Sequence, residues 1–228
     1  MDIRFNFGEI QGRILRACER SARDPQEVRL VAVTKNVPAT RVKEAMECGL
    51  RRFGENYVQE ALPKIRALGP EAEWHFIGHL QSNKARHVVG NFRMVHTVDR
   101  LSLAKELDRR APGPEPLEVL IQVNVSGEET KSGIPPESLP ELVRELVRLP
   151  LIRVRGLMTM PPYFEDPEMS RPYFRLLRQW RDRLRGLIPP PHSVEELSMG
   201  MSGDFEVAIE EGATFIRIGT ALFGPRLP

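Results

Sequence analysis

Residues 117–125 run Leu117-Glu118-Val119-Leu120-Ile121-Gln122-Val123-Asn124-Val125, a long stretch rich in Val, Leu and Ile. Behind the proline-rich segment Pro112 to Pro116, it reads as a buried strand. Downstream, Leu139, Leu142, Val143, Leu146 and Val147 share one face of a helix by their spacing. A buried strand followed by an amphipathic helix is one βα unit.

The same unit recurs in both directions. Toward the N-terminus, Val28 to Val33 is a short apolar strand ending at Thr34-Lys35. Asn36-Val37-Pro38 opens its helix with Pro38 in the first turn, Val42, Ala45 and Met46 on one face and Gly49 as the stop. Further strands are predicted near Arg51–Gly54, at Trp74–Ile77 and at Met94–Val98. Their helices carry Val58, Leu62 and Ile65, then Ala85, Val88 and Val89, then Leu101, Ala104 and Leu107. Toward the C-terminus, strands are predicted at Ile152–Met158, Val194–Met199 and Thr214–Ile218. Helices with Phe174, Leu177, Leu184 and Leu187, and with Phe205, Ala208 and Ile209, lie between them. An extra helix with Phe7, Ile10, Ile14 and Ala17 on one face precedes the first strand.

Alternating βα units make a parallel sheet, and eight of them suggest a closed (β/α)₈ barrel; fewer would give a doubly wound sheet. The chain has 228 residues against roughly 250 for such a barrel. A compact barrel therefore uses nearly all of it, and no composition shift marks a second domain. We expect one domain over residues 1–228.

Composition excludes several classes. With 33 Lys+Arg against 31 Asp+Glu and a net charge of +2, this is not a chain built mainly to hold nucleic acid. A hydrophobic share of 41% with 28% charged residues rules out disorder and collagen-like repeats. Cys18 and Cys48 form neither a disulfide framework nor a CxxC pair, so a reducing cytoplasmic setting is expected. The first 24 residues lack the apolar region of a signal peptide, and no apolar run is long enough to span a membrane.

In a parallel βα barrel the chemistry sits at the C-terminal ends of the strands. Lys35 ends the run Leu30-Val31-Ala32-Val33-Thr34. Desolvation there would disfavour the ammonium and leave an amine able to attack a carbonyl. A lysine at a strand end also reaches out to solvent, and the residues leave both readings open. Two glycine-bearing turns follow the last two strands, Gly200-Met201-Ser202-Gly203-Asp204 and Ile218-Gly219-Thr220-Ala221-Leu222-Phe223-Gly224. Backbone N–H groups and hydroxyls in adjacent turns suit a phosphate. Simple capping, with Ser202 as N-cap, is the competing reading for either turn alone. Arg217 alternates with Ile216 and Ile218, so it faces away from them. Inside the barrel it would need a partner, either a heterocyclic nitrogen or a structural carboxylate. An amine, a phosphate site and an interior arginine together suggest pyridoxal 5′-phosphate.

These residues carry a resemblance. Trp74-His75-Phe76-Ile77-Gly78-His79-Leu80-Gln81-Ser82-Asn83-Lys84 resembles the signature of the pyridoxal phosphate homeostasis protein family. So do Ala32-Val33-Thr34-Lys35, Phe53-Gly54-Glu55-Asn56-Tyr57, Leu157-Met158-Thr159-Met160, Leu197 to Asp204 and Arg217 to Gly224. The resemblance implies a single TIM-type barrel like the alanine racemase N-terminal domain. It implies that Lys35 holds pyridoxal phosphate as an internal aldimine, a Schiff base. Ser202, Gly203, Gly219 and Thr220 would bind the phosphate, Arg217 would face the pyridine nitrogen, and Asn56 would lie near the ring. It further implies a cytoplasmic monomer that buffers the cofactor or delivers it to apo forms of pyridoxal phosphate-dependent enzymes. No catalytic residue, nucleic acid or membrane enters that reading.

Competing readings are an amino-acid racemase and a cofactor-free Schiff-base aldolase using Lys35. A racemase needs a second base on the opposite face of the substrate carbon. In the racemase relatives that base is a tyrosine from a second domain of the partner subunit. This chain offers Tyr57, Tyr163 and Tyr173 and no predicted second domain, which disfavours a racemase without excluding a base borne by the barrel. Other features take structural readings. His75 and His79 flank a strand and turn with no third ligand, so no metal site is expected. Lys84 and Arg86 belong to a solvated helix start, and Trp74 and Trp180 to packing. Lys131-Ser132-Gly133 is expected in an acidic surface loop with Glu128 and Glu129.

Overall fold

The computed structural model describes residues 2–128 and 131–225; Glu129 therefore lies outside the described residues. Eight parallel strands close into a barrel in the order of the chain. They are β1 (Arg29–Val33), β2 (Arg52–Glu55), β3 (Glu73–Phe76), β4 (Met94–Val98), β5 (Leu117–Gln122), β6 (Ile152–Met158), β7 (Glu196–Ser198) and β8 (Phe215–Ile218). Closure is made by β1 against β8, with Arg29 opposite Phe215 and Ala32 opposite Ile218.

The helices are α1 (Ile3–Arg20), α2 (Ala39–Glu47), α3 (Val58–Leu68), α4 (Leu101–Arg110), α5 (Leu139–Leu146), α6 (Arg171–Arg185), α7 (Phe205–Glu210) and α8 (Thr220–Phe223). The extra N-terminal helix α1 buries Ile3, Ile10, Ile14 and Ala17. It is tied to the end of the barrel by Asn6 Nδ2 donating to the Leu222 carbonyl at 2.8 Å. Arg13 adds an ion pair with Glu206 on α7 at 2.6 Å.

Some elements differ from the sequence expectation. After β3 there is no α-helix; Ser82–His87 forms a 3₁₀ helix. That segment has too short an apolar stripe to support a longer helix, and tight i+3 bonds suffice for six residues. Strand β5 ends at Gln122, three residues early. Beyond it, the chain turns to a different partner: Asn124 N–H donates to the Ile134 carbonyl and Ile134 N–H to the Gln122 carbonyl, both at 2.9 Å. Pro38 precedes α2 in extended conformation as its N-cap and is not inside its first turn.

Two apolar clusters reflect the two sides of the strands. The larger one lies between barrel and helices and includes Phe53, Ile216 and Ile218. The smaller, Val31, Met94, Leu120, Met158 and Phe215, fills the barrel interior. Between these interior residues lie polar ones, among them His75, His96, Ser198 and Arg217, all buried. An interior filled this unevenly with polar groups needs internal partners for each.

Candidate functional site

Lys35 continues the inward parity of Val31 beyond the end of β1 and is half-buried at the barrel mouth. Its seat is built by outward-facing neighbours. The Thr34 carbonyl accepts from Val37 N–H at 3.0 Å, making a turn, and from Lys64 Nζ of α3 at 2.7 Å. Lys64 also pairs with Glu55 at 2.8 Å and with Glu60 at 2.7 Å. The Thr34 hydroxyl donates to Glu55 at 2.6 Å, and Asn36 N–H donates to Glu60. Asn36 itself sits at φ +60, a left-handed conformation that asparagine tolerates. Burial pushes the Glu55 carboxyl up, opposed by Lys64 and Thr34. Two lysines thus have different settings: Lys64 is locked among carboxylates, while Lys35 borders an open cleft.

That cleft has a volume of about 250 Å³ and lies at the C-terminal ends of the strands. Lys35, Ser202, Gly203, Arg217, Gly219 and Thr220 all border it. A larger hollow of about 480 Å³ lies elsewhere, between Ala72–Trp74 and Pro112–Leu117. Volume does not select the site; in this fold the chemistry is found at the other end of the strands.

The two glycine-bearing turns meet here. Ser202 does not cap α7; the N-cap position is Asp204, whose Oδ1 accepts from Met201 N–H at 2.7 Å. The Ser202 hydroxyl instead accepts the Ala221 N–H at 3.2 Å, joining the turn after β7 to that after β8. The N–H groups of Ser202, Gly203, Gly219 and Thr220 find no acceptor among the described residues. Gly200 holds the first turn at φ +89, where a Cβ would come within 2.5 Å of Ala208 Cβ. A left-handed residue packed this closely must be glycine.

Arg217 points into the barrel beside Phe215, as alternation requires. Its Nη1 donates to Ser198 Oγ at 2.6 Å and its Nη2 to the Thr159 carbonyl at 2.9 Å. Among the described residues no carboxylate pairs with it, so the structural ion pair is not the partner that sequence left open. Burial pushes the guanidinium down to about 10, with the Asp204 charge opposing, and it remains cationic at neutral pH.

Asn56 behaves differently. It stands two residues beyond Gly54, as Lys35 stands two beyond Val33, its register partner. Even so, it is not among the residues bordering the cleft. Its Oδ1 is buried without a hydrogen-bond partner among the described residues. His75 and His79 are not brought together: His75 is interior, while the His79 side chain is 55% exposed and 4.0 Å from Asp99. Tyr163 borders the cleft but is 86% exposed. Lys131 pairs with Glu128 at 3.3 Å on the loop beyond β5.

Sequence reasoning missed the Lys64–Glu55 pair and the interior His96. Both lie on elements whose apolar spacing points to packing, and Lys64 sits directly before the core-facing Ile65. A lysine one position from a buried helix face is the signal that was available.

The family model described as "Alanine racemase, N-terminal domain" matches residues 9–227. The chain is 51% identical over 218 residues to the pyridoxal phosphate homeostasis protein of Aquifex aeolicus, covering 94% of each. It is similar to the structure of PipY from Synechococcus elongatus with PLP bound, at TM-score 0.82 and 38% identity, covering 93% of this chain and 100% of that one. Alanine racemase from Corynebacterium glutamicum matches at TM-score 0.73 with 17% identity, over 99% of this chain and 61% of the racemase, a likeness of fold alone.

Proposed function

The chain belongs to the pyridoxal phosphate homeostasis protein family, on the alanine racemase N-terminal domain fold, and from that premise we propose how its cleft works. It binds pyridoxal 5′-phosphate and contributes to keeping the free cofactor in balance, without turnover of its own. The observation that carries this reading is that Ser202, Gly203, Gly219 and Thr220, whose N–H groups find no acceptor among the described residues, border the same cleft as Lys35 and Arg217. Bound there, the cofactor supplies an aldehyde that condenses with a primary amine, losing water.

The residues fit that molecule. The four N–H groups and the Thr220 hydroxyl donate to phosphate oxygens. Lys35 would supply that amine. Arg217, which pairs with no carboxylate among the described residues, would donate to the ring nitrogen. A guanidinium keeps its proton, so it would hydrogen-bond the ring nitrogen without protonating it, which would leave a poor electron sink. Asn56 Oδ1, an acceptor lacking a donor, is assigned near the ring as a weaker contact.

Racemisation needs a second base. Tyr163, the tyrosine at the cleft, makes no hydrogen bond among the described residues that would hold it in place. We read residues 1–228 as one domain acting as a cytoplasmic monomer, with apo forms of pyridoxal phosphate-dependent enzymes as recipients. Supporting the reducing setting, Cys18 and Cys48 form no disulfide. No helix among the described residues is long and apolar enough to cross a membrane.

Borohydride reduction with pyridoxal phosphate, followed by peptide mapping, is expected to leave a phosphopyridoxyl group on Lys35. A protein that stays colourless and gives no adduct overturns the reading. Incubation with L- and D-amino acids in deuterated water is expected to leave the Cα proton unexchanged, and exchange would restore the racemase.

A further inference from the structure

Beneath the cleft, polar side chains form a continuous line through the barrel. Arg217 Nη1 donates to Ser198 Oγ at 2.6 Å, and Ser198 Oγ lies 2.8 Å from His96 Nδ1. His96 Nε2 lies 2.7 Å from His75 Nδ1, and His75 Nε2 lies 2.8 Å from Glu73 Oε1. Glu73 is the first residue of β3, at the opposite rim, where it also accepts from Arg52 Nε at 3.0 Å. The line crosses β8, β7, β4 and β3, and its four residues above Glu73 are at most 3% exposed.

Proton bookkeeping gives this line one direction. A guanidinium can only donate and a carboxylate can only accept. Ser198 Oγ, already accepting from Arg217, gives its single proton to His96 Nδ1. His96 then carries its own proton on Nε2 and donates to His75 Nδ1. His75 likewise carries its proton on Nε2 and donates to Glu73. Every link is satisfied with both rings neutral. Reversal would require a protonated Glu73 or a doubly protonated His75, and would leave the Ser198 proton without an acceptor among the described residues.

The surrounding charges agree. Arg217 of β8 and Arg29 of β1 face His96, and Arg52 of β2 and Arg29 act on His75. Burial above all, then these cations and, at His96, the neighbouring His75, hold both imidazoles below the ordinary histidine range, with Glu73 opposing at His75.

We propose that Ser198, His96 and His75 are positioning residues for Arg217. Their one-way chain of hydrogen bonds, anchored on Glu73, keeps the guanidinium a fixed donor at the cleft, selective for a ligand with an acceptor nitrogen in its ring. The direction of the chain holds without any ligand; the selectivity rests on the reading of the cleft given above.

The direction is tested on the ligand-free protein by ¹⁵N NMR of labelled histidine between about pH 6 and about pH 9. Both rings are expected to stay neutral Nε2–H tautomers throughout. An Nδ1–H tautomer at either ring, or titration of either in that range, overturns the chain. The selectivity is tested with pyridoxal phosphate and its analogue bearing CH in place of the ring nitrogen. Ser198→Ala is expected to weaken pyridoxal phosphate binding about tenfold and leave the carbon analogue unchanged. Equal loss for both aldehydes makes Ser198 a packing residue and overturns the positioning role. Wild-type protein that binds neither aldehyde overturns the cleft reading and the selectivity, while the tautomers are still read by NMR alone.

Discussion

Lys64 Nζ donates to the Thr34 carbonyl at 2.7 Å, so a buried lysine on α3 holds the residue directly before Lys35. The same ammonium bonds Glu55, which in turn accepts from the Thr34 hydroxyl. A short section of backbone is therefore clamped from two sides, and Lys35 leaves the strand from a fixed point.

Removing that clamp is expected to be costly. Lys64→Met leaves Glu55 buried without its counterion, and breaking such a pair typically costs about 3–5 kcal/mol. Denaturant unfolding measures the loss. Pairing it with Glu55→Gln is expected to recover part of the stability, because the orphaned charge is gone. A double variant no more stable than Lys64→Met would show that the pair does not act as a unit.

Lys35→Ala is expected to abolish the borohydride-trapped adduct with a stability change within about 1 kcal/mol, since the side chain is only half-buried. Mass spectrometry of the reduced protein reads the first and thermal unfolding the second. A full-stoichiometry adduct in this variant would transfer the anchor to another lysine.

Ser202→Ala removes a hydroxyl that ties the two turns together through Ala221 N–H. Cofactor affinity is expected to fall about tenfold, corresponding to roughly 1.4 kcal/mol, while the adduct still forms at saturation. An absorbance titration measures this, and unchanged affinity would remove Ser202 from the phosphate site.

Glu73 sets an acid limit. The His75 hydrogen bond, helped by Arg52, lowers its carboxyl from 4.5 to about 2. A folded-state value below the unfolded one stabilises the protein above the unfolded value. This contribution is present above pH 4.5 and is lost as pH falls from there toward about 2. Glu73→Gln is expected to flatten the stability profile over that window. An identical acid slope in the variant would place the sensitivity on another group.

The eight strand positions were legible because burial on a strand and on an amphipathic helix face leaves short, local periodicities. Strand ends then identified Lys35, Ser202, Gly203, Gly219 and Thr220, and alternation within the last strand identified Arg217; these residues do border one cleft. Asn56 lies at the neighbouring strand end yet outside the cleft's border, since adjacency in register does not fix where a side chain points. The segment after β3 has helical composition but forms a 3₁₀ turn, because propensity cannot lengthen a segment with little to pack.

The amino-acid sequence alone determined the alternation of strand and helix, the parity of Arg217 opposite to Ile216 and Ile218, and the residues that close each strand. These follow from neighbours one to four positions apart. Only the tertiary structure decided that Arg217 meets Ser198 and not a carboxylate, that Ser202 joins the second turn and does not cap its own helix, and that His96 and His75 link the cleft to Glu73. His96 and Ser198 are 102 residues apart, and hydrogen-bond partners at such separations are set by how the barrel closes. Local periodicity specifies which face a side chain occupies; closure specifies what it finds there.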